Sequence, residues 1–494
     1  MRTYGDTCPI AIQAAQGSIA LIRICGQGSL ESLAQIFSRP QALLNAAGNT
    51  VVYGWIRDFS SSPHISPPAL IDQVLISVYR APRSYTGEDG ADISCHGGSA
   101  AVKAVLEALR KAGFQDALPG EFTFRSFING KMDLTQSESV MELVSAKSKH
   151  GLEHAVKRLS GTLEREIHVI RDKLLEILSA LELYLVYPEE EIEEIEEIDE
   201  HDRKQEHMPQ REEAEDILRK LQSLAVSYRR ERLYQEGVLA VIAGRPNAGK
   251  SSLFNVLLSE DRSIVTEKPG TTRDWIEAAL TIEGIPVRLA DTAGIRSVLL
   301  PCESQTSVMD EAEIQGIQRS RDLIEQANII LYTVDACEGL NIEDQTFLKE
   351  YTQSRDRLLV LVWNKVDLED TLPESIPCLP EKSEFFSFIP VSCKTGIGIG
   401  ELCSSIASLI IENTAKDSDL GEVRAGLGTE RQKDLTEKAA LLLEEALLLA
   451  DQKEPLDIIA PFLREALNTL GEITGEVSSA DILDLMFSRF CLGK

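Results

Sequence analysis

The apolar run VLAVIA over Val238–Ala243 is followed at once by GRPNAGKS over Gly244–Ser251. That is GxxxxGK[ST] between a strand-length run and a helical pattern at Ser252–Leu258, and few folds can present it. The glycines let the backbone curl so that successive N–H groups converge on a phosphate. Lys250 brings a positive charge to the same place, Ser251 offers a hydroxyl to Mg2+, and the helix N-terminus adds its dipole. Taken alone, the pattern also suits a glycine-rich turn. Its surroundings favour a parallel sheet: Val287–Ala290, Ile329–Val334 and Leu358–Trp363 are short apolar runs, each followed by a loop and a helical pattern. Such alternation predicts strands joined by crossover helices.

Three later motifs fall at the ends of predicted strands, in a fixed order. DTAG, Asp291–Gly294, carries a carboxylate that can hold Mg2+ through water and a glycine N–H that can sense a γ-phosphate. NKVD, Asn364–Asp367, carries a carboxylate that accepts from guanine N1–H and the exocyclic amine together, a pair of donors adenine lacks. SCK, Ser392–Lys394, follows Phe388–Val391 and offers a backbone N–H to guanine O6. The four motifs together predict a GTP-hydrolysing domain. Ile295 stands where many small GTPases carry a water-orienting Gln, so that function must come from elsewhere. GTTRD over Gly270–Asp274 can supply a threonine to Mg2+.

At 494 residues the chain is too long for one core. Residues 1–128 read as mixed α/β, with strands at Ser18–Ile24 and Val74–Val78, a helix at Ser99–Ala112 and a loop at Pro63, Pro67 and Pro68. Residues 129–236 read as helical, at Ser137–Ser148, Leu152–Leu163, Ile167–Leu185 and Glu212–Glu236. The sheet domain spans 237–412. Residues 413–494 return to helix, at Glu430–Leu449 and Ile458–Leu470. The expected fold is therefore α/β and all-α multidomain, with a Ras-like P-loop domain of mostly parallel sheet inserted between helical halves.

The formal charge of −29 argues against a generic grip on nucleic acid. Glu189–Asp202 alone holds ten acidic residues in fourteen positions, which reads as a solvated helix face or loop. Nine scattered cysteines without a CxxC pair suit neither a disulfide framework nor a zinc ribbon. With no leader-like N-terminus and no membrane-length apolar run, the expected location is the cytoplasm, with no membrane.

GRPNAGKSS over Gly244–Ser252, GTTRD over Gly270–Asp274 and the terminal CLGK over Cys491–Lys494 resemble the MnmE (TrmE) family of tRNA-modification GTPases, in the TrmE-Era-EngA-like class. YTGED (Tyr85–Asp89), HGG (His96–Gly98), PGEF (Pro119–Phe122), NGKMDLTQ (Asn129–Gln136) and LGEITGE (Leu470–Glu476) extend the resemblance through almost the whole chain. It implies a GTP site made by Asn247, Ala248, Gly249, Lys250, Ser251 and Ser252; Thr266, Glu267, Lys268, Pro269, Gly270, Thr271 and Thr272; Asp291, Thr292, Ala293 and Gly294; Asn364, Lys365 and Asp367; and Ser392, Cys393 and Lys394. It implies Mg2+ on Ser251 and Thr272. K+ would sit on the Asn247 side chain and the carbonyls of Thr266, Lys268 and Thr271, with Lys250 catalytic and Glu313 orienting water indirectly. Asn247 read from the residues alone remains a turn residue, and Glu313 a helix-surface carboxylate. Ser297–Val308 lengthens the segment before Glu313 relative to the family pattern.

The resemblance further implies an N-terminal domain that dimerises and binds a tetrahydrofolate derivative, 5-formyl- or 5,10-methylene-tetrahydrofolate. Arg23, Asp92, Lys131 and Lys494 match its positions, with Asp92 where the family has Glu. By themselves Arg23 and Lys131 read equally as surface cations and Asp92 as a turn residue. Cys491 is either a buried thiol or a participant in the modification chemistry. The implied reaction adds a carboxymethylaminomethyl or aminomethyl group at C5 of the wobble uridine of certain tRNAs. The implied partner, in a heterotetramer, is the flavoprotein MnmG (GidA) with FAD and NADH. His96–Gly98 lacks the GxSxG elbow of an esterase, and His150 with His154, lacking a third ligand, reads as an exposed helix face. An Era- or Der-type ribosome-assembly GTPase is the alternative, but it calls for a basic RNA-binding domain or a second phosphate loop. A nucleotide-gated scaffold is disfavoured by intact Lys250, Ser251, Thr272 and Asp291.

Overall fold

The computed structural model describes residues 8–14, 17–58, 69–186, 210–260, 276–291, 323–353, 358–368, 386–415, 425–477, 483, 486–488, 490 and 493. Pro63, Pro67, Pro68, the acidic run Glu189–Asp202 and the stretch Ser297–Val308 lie outside the described residues. Contacts divide the chain into two units. One joins Met1–Met141, Arg158–Pro209 and Leu448–Lys494, and the other joins Glu142–Lys157 and Gln210–Leu447.

The first unit holds a six-stranded sheet in the order β3-β4-β5-β2-β1-β6. Its strands are β1 (Pro9–Ala14), β2 (Ile19–Cys25), β3 (Thr50–Asp58), β4 (Ala69–Tyr79), β5 (Gly90–His96) and β6 (Gln115–Asp116). Pairing is antiparallel except between β1 and β6. In β4, Val74, Ile76 and Val78 are buried while Gln73 and Leu75 are exposed, the period-two signature of a sheet with one covered face. α1 (Ser29–Ile36), the short α2 (Pro40–Leu44) and α3 (Ser99–Lys111) cover that face, bringing Leu30, Leu33, Leu43, Val105 and Leu109 onto Ile22, Ile24, Ile76 and Ile93. β4 is longer than expected because the strand continues back to Ala69 through Asp72, a buried carboxylate that interrupts the apolar alternation on the covered face. After β6 the chain enters α4 (Glu121–Ile128).

The helices of this unit pair over long sequence separations. In α7 (Thr162–Val186), Ile167, Ile170, Leu174, Ile177 and Leu181 are buried at alternating three- and four-residue steps. In α13 (Leu456–Thr474), Ile459, Leu463, Ala466, Leu470 and Ile473 do the same, and the two helices pack together. Near the C-terminus, Leu483, Phe487 and Phe490 cluster with Leu134, Phe124 and Phe127. Phe487 meets Phe124 edge-on at 5.3 Å.

Two helix expectations change. α5 runs Leu134–Ser145, three residues earlier than Ser137, because Asp133 caps it: Asp133 Oδ1 accepts from Gln136 N at 2.6 Å and Gln136 Oε1 accepts from Asp133 N at 3.0 Å. The expected Leu152–Leu163 helix is two helices, α6 (Lys149–Leu159) and α7, broken by Gly161 at φ 78°.

The second unit holds a sheet in the order β12-β11-β10-β7-β9-β8. Its strands are β7 (Val238–Gly244), β8 (Ile276–Ile282), β9 (Ile285–Asp291), β10 (Ile329–Asp335), β11 (Leu358–Asn364) and β12 (Phe386–Val391). All pairs are parallel except β8 with β9. β10 and β11 are buried along their whole length, so no alternation shows in their sequences. On one face α9 (Lys250–Glu260) and α11 (Ile399–Ala415) lay Leu253, Leu257, Leu402 and Ile406 against Ala240, Ile242 and Leu331. On the other, Phe347 and Leu348 of α10 (Ile342–Gln353) meet Val241, Tyr332 and Trp363. The long helices α8 (Arg211–Glu236) and α12 (Glu430–Asp451) flank this region in sequence.

The cap of α5 carries a pH signature. Asp133 Oδ1 takes the cap bonds, while the buried Oδ2 accepts none among the described residues. Burial, with Glu164 adding to it, pushes the carboxyl up to about 6. An unfolded aspartate titrates near 3.9, so the folded state holds the proton more tightly and stability falls as pH rises from about 4 to about 6. An asparagine at this position would keep the cap acceptor without the charge. Asp133→Asn is therefore expected to be more stable than wild type at pH 8, by up to about 3 kcal/mol, and equal near pH 4. Thermal unfolding at the two pH values checks this, and a lower midpoint for the variant at pH 8 contradicts it.

Candidate nucleotide-binding site

β7 ends at Gly244, whose φ is +133° and whose Cβ, were there one, would lie 2.2 Å from the Thr333 carbonyl oxygen of β10. The loop that follows can therefore leave the sheet only with glycine at this position. Asn247 is exposed and has a left-handed backbone at φ 65°, a conformation asparagine tolerates. The helix α9 starts at Lys250. The Lys250 ammonium lies over its own loop, donating to the carbonyls of Gly244 at 2.8 Å and Arg245 at 2.7 Å. Burial lowers its pKa and the Asp291 carboxylate pulls the other way. Phosphate oxygens can take over those two acceptor roles with charge in place of dipole. Ser251 Oγ donates to Asp291 Oδ2 at 3.1 Å. A hydroxyl and a carboxylate side by side at the foot of a phosphate loop form a hard oxygen set that fits Mg2+.

The parallel register aligns Asp335, Asn364 and Val391 at the ends of β10, β11 and β12. Asn364 is 2% exposed. Its Nδ2 donates to the Ala248 carbonyl at 2.9 Å and its Oδ1 accepts from Cys393 N at 3.3 Å. One amide thus ties the phosphate loop to both base-side loops. Asp367 is exposed and accepts from Ser392 Oγ at 2.7 Å through Oδ1, a bond that does not involve Oδ2. Burial pushes the Cys393 thiol up to about 11, which keeps it neutral. Of the nucleotide-site residues, Asn247–Ser252, Asp291, Asn364, Lys365, Asp367 and Ser392–Lys394 are described; Thr266–Thr272, Thr292–Gly294 and Glu313 lie outside the described residues.

In the first unit, Arg23 and Asp92 face each other across β2 and β5 and form a two-pronged ion pair, Nε–Oδ1 at 2.8 Å and Nη2–Oδ2 at 3.0 Å. Tyr79 donates to Asp92 at 3.3 Å, and the guanidinium lies 5.4 Å from the Tyr85 ring centroid. Lys131 donates to the Pro82 carbonyl at 3.0 Å. Cys491 and Lys494 lie outside the described residues. His154 meets Glu231 at 2.7 Å, and among the described residues no group of three or more His, Cys, Asp or Glu is placed to hold a metal. His96 pairs with buried Asp72 at 2.7 Å.

Two polar groups beside the nucleotide motifs were not singled out in the sequence. Asp335, 11% exposed at its side chain, pairs with Lys365 at 2.5 Å, and Arg245 pairs with the buried Asp344 at 3.0 Å. A signal existed for Asp335: it is the one charged residue of β10 and stands at the end of that strand.

A doubly covered, mostly parallel sheet with a phosphate loop and a guanine-selective loop at its strand ends defines a P-loop guanine-nucleotide domain of the GTPase class. Residues 134–491 match the model of the MnmE helical domain and residues 7–131 that of the GTP-binding protein TrmE N-terminus. The tRNA modification GTPase MnmE of Treponema denticola is 38% identical over 491 residues, covering 98% of this chain and 97% of that protein. The protein of the same name from Carboxydothermus hydrogenoformans is 36% identical, covering 98% of each. A solved structure of Era with MgGDPNP and a 16S ribosomal RNA fragment is 26% identical over 34% of this chain and 55% of its own, with a TM-score of 0.27. The chain belongs to the MnmE (TrmE) family.

Gly249 tests the site directly. Its φ is +95°, and an added Cβ would lie 2.1 Å from Asn364 Nδ2. Gly249→Ala is expected to weaken GDP binding roughly tenfold to hundredfold, read by titration with a fluorescent GDP analogue. Wild-type affinity in that variant contradicts the assigned geometry.

Proposed function

We propose that the chain is a K+-activated GTPase that, with a flavoprotein partner, modifies C5 of the wobble uridine of certain tRNAs by adding a carboxymethylaminomethyl or aminomethyl group. The observation that carries this reading is the likeness to tRNA modification GTPases over 98% of the chain. In this reading the Gly244–Ser251 loop and Lys250 bind and orient the phosphates, and Asp367 with a backbone N–H of the Ser392–Lys394 loop selects guanine. Ser251 and Thr272 hold Mg2+, which supplies charge neutralisation at the β- and γ-oxygens. Asn247, Thr266, Lys268 and Thr271 hold K+, which supplies positive charge where other GTPases use an arginine finger. Glu313 orients the attacking water, the role that Ile295 cannot perform. Asn247 is exposed at the loop's outer turn, which supports its place in such a site.

Arg23, Asp92, Lys131 and Lys494 bind the tetrahydrofolate derivative. The Arg23–Asp92 pair uses Nε and Nη2 and leaves Nη1 out of the ion pair, so a folate carboxylate has a guanidinium N–H to meet. Tyr79 and Tyr85 beside it suit a flat ring. Cys491 takes part in the modification chemistry. The protein acts in the cytoplasm as a homodimer and forms a heterotetramer with the flavoprotein MnmG. Among the described residues no helix is long and apolar enough to cross a membrane.

Steady-state GTP hydrolysis in KCl against NaCl at equal ionic strength tests this function. Hydrolysis at least about tenfold faster in KCl is expected, and Asn247→Ala is expected to lose that difference. Equal rates in both salts reject the K+ site. Nucleoside analysis of tRNA from cells lacking the protein is expected to show loss of the wobble modification, and intact modification rejects the tRNA role.

A further inference from the structure

The segment from the last residue of β10 into the first turn of α10, Asp335–Asp344, lies outside every nucleotide motif but grips two of them. At its start, Asp335 Oδ2 pairs with Lys365 Nζ at 2.5 Å, while Oδ1 accepts from Cys337 N at 3.0 Å. Burial alone would raise the Asp335 pKa, but the Lys365 and Cys337 bonds together outweigh it and hold the carboxyl below its ordinary value. Lys365 itself has a left-handed backbone at φ 70°, and Ala336 N donates to the Asn364 carbonyl at 2.8 Å. The guanine loop is therefore held by both a charge and a backbone bond from this segment.

At its far end the same segment holds the phosphate loop. Arg245, the second residue of GRPNAGKS, donates through Nε to Asp344 at 3.0 Å, through Nη2 to the Gly339 carbonyl at 2.5 Å, and pairs with Glu338 at 3.2 Å. Asp344 is fully buried and fixed from three sides: Tyr332 Oη donates to it at 2.7 Å and Asn341 N at 2.9 Å, with Arg245 the third. A buried carboxylate with every partner in place is a rigid anchor, and an arginine with three acceptors has little rotational freedom.

We propose that Asp335–Asp344 is a strap that sets the base loop and the phosphate loop in one geometry, with Asp335 acting through Lys365 and Asp344 acting through Arg245 as positioning residues for guanine-nucleotide binding. This rests on the placement of GTP at Gly244–Ser251 and Asn364–Asp367. A nucleotide spans both loops, so an error in their separation weakens GDP and GTP alike and leaves the chemical step of bound GTP intact.

The test uses the full-length protein, a fluorescent GDP analogue for Kd, and steady-state GTP hydrolysis for KM and kcat. Asp335→Asn is expected to raise Kd and KM about tenfold with kcat at saturation unchanged. Arg245→Ala is expected to do the same, and Arg245→Lys to recover part of the loss. Removing Asp344 endangers the core through Tyr332, so the half-buried Arg245 carries that arm. In a double-mutant cycle, Asp335→Asn is expected to add less than about twofold once Lys365 is alanine. Unchanged Kd in the Asp335 and Arg245 variants overturns the strap, as do independent, multiplying losses for Asp335 and Lys365. Lys250→Ala separates the two readings. If it loses GTP hydrolysis while the strap variants behave as wild type, only the strap fails. If Lys250→Ala hydrolyses GTP normally, the nucleotide placement fails and the strap with it.

Discussion

The buried amide of Asn364 is the joint on which the nucleotide site depends. One side chain donates to the phosphate loop at Ala248 and accepts from the SCK loop at Cys393. The bond to Ala248 is buried and the one to Cys393 partly so, and Asn364 itself is 2% exposed, so removing the Ala248 bond would leave a dry polar atom. The joint also dictates its neighbour: Gly249 must be glycine because the amide occupies the space a Cβ would take. The two halves of the site are thus held in register by protein alone, and nucleotide binding need not supply the ordering energy.

That joint depends in turn on the sheet. β10 and β11 are buried on both faces and pair in parallel over seven residues each, ending together at Asp335 and Asn364. The apolar residues fix where the strands stop, and the first polar side chains beyond them emerge at a shared edge. Ligand loops gather at the carboxyl ends of parallel strands for this reason. Asp335, Asn364 and Ser392 are therefore neighbours through topology, although Asp335 and Ser392 lie far apart in sequence.

Much of this was legible in the sequence, because continuous apolar runs followed by glycine- or Asx-rich loops survive any detail of packing. Val238–Gly244, Ile329–Asp335 and Leu358–Asn364 could be read almost to their ends. The N-terminal sheet was less legible. β3 carries Gly54, which is there because a Cβ would fall 2.4 Å from the Phe37 ring, and β5 opens on Gly90, packed against the Ile24 carbonyl. Both glycines serve packing with partners distant in sequence, and both weaken the strand pattern locally. The start of α5 could have been read from Asp133 and Gln136 as a capping box. The Arg23–Asp92 pairing could not, because it is set by strand register across a separation of 69 residues.

The order of units along the chain places a constraint on folding. α7 and α13 need each other to bury their apolar stripes, and most of the second unit lies between them in sequence. Helices separated by so long a loop pair slowly, since the closure entropy must be met before any contact is gained. The second unit eases this through its own folding. Ser227 Oγ of α8 accepts from Leu427 N at 3.1 Å, and Gly426 sits against Glu231, so its early and late segments are drawn together. Once that unit is folded, the loop that α7 and α13 must close is far shorter in effect than its sequence length. Contacts that hold the early and late segments of the second unit together thereby also favour closure of the interrupted unit.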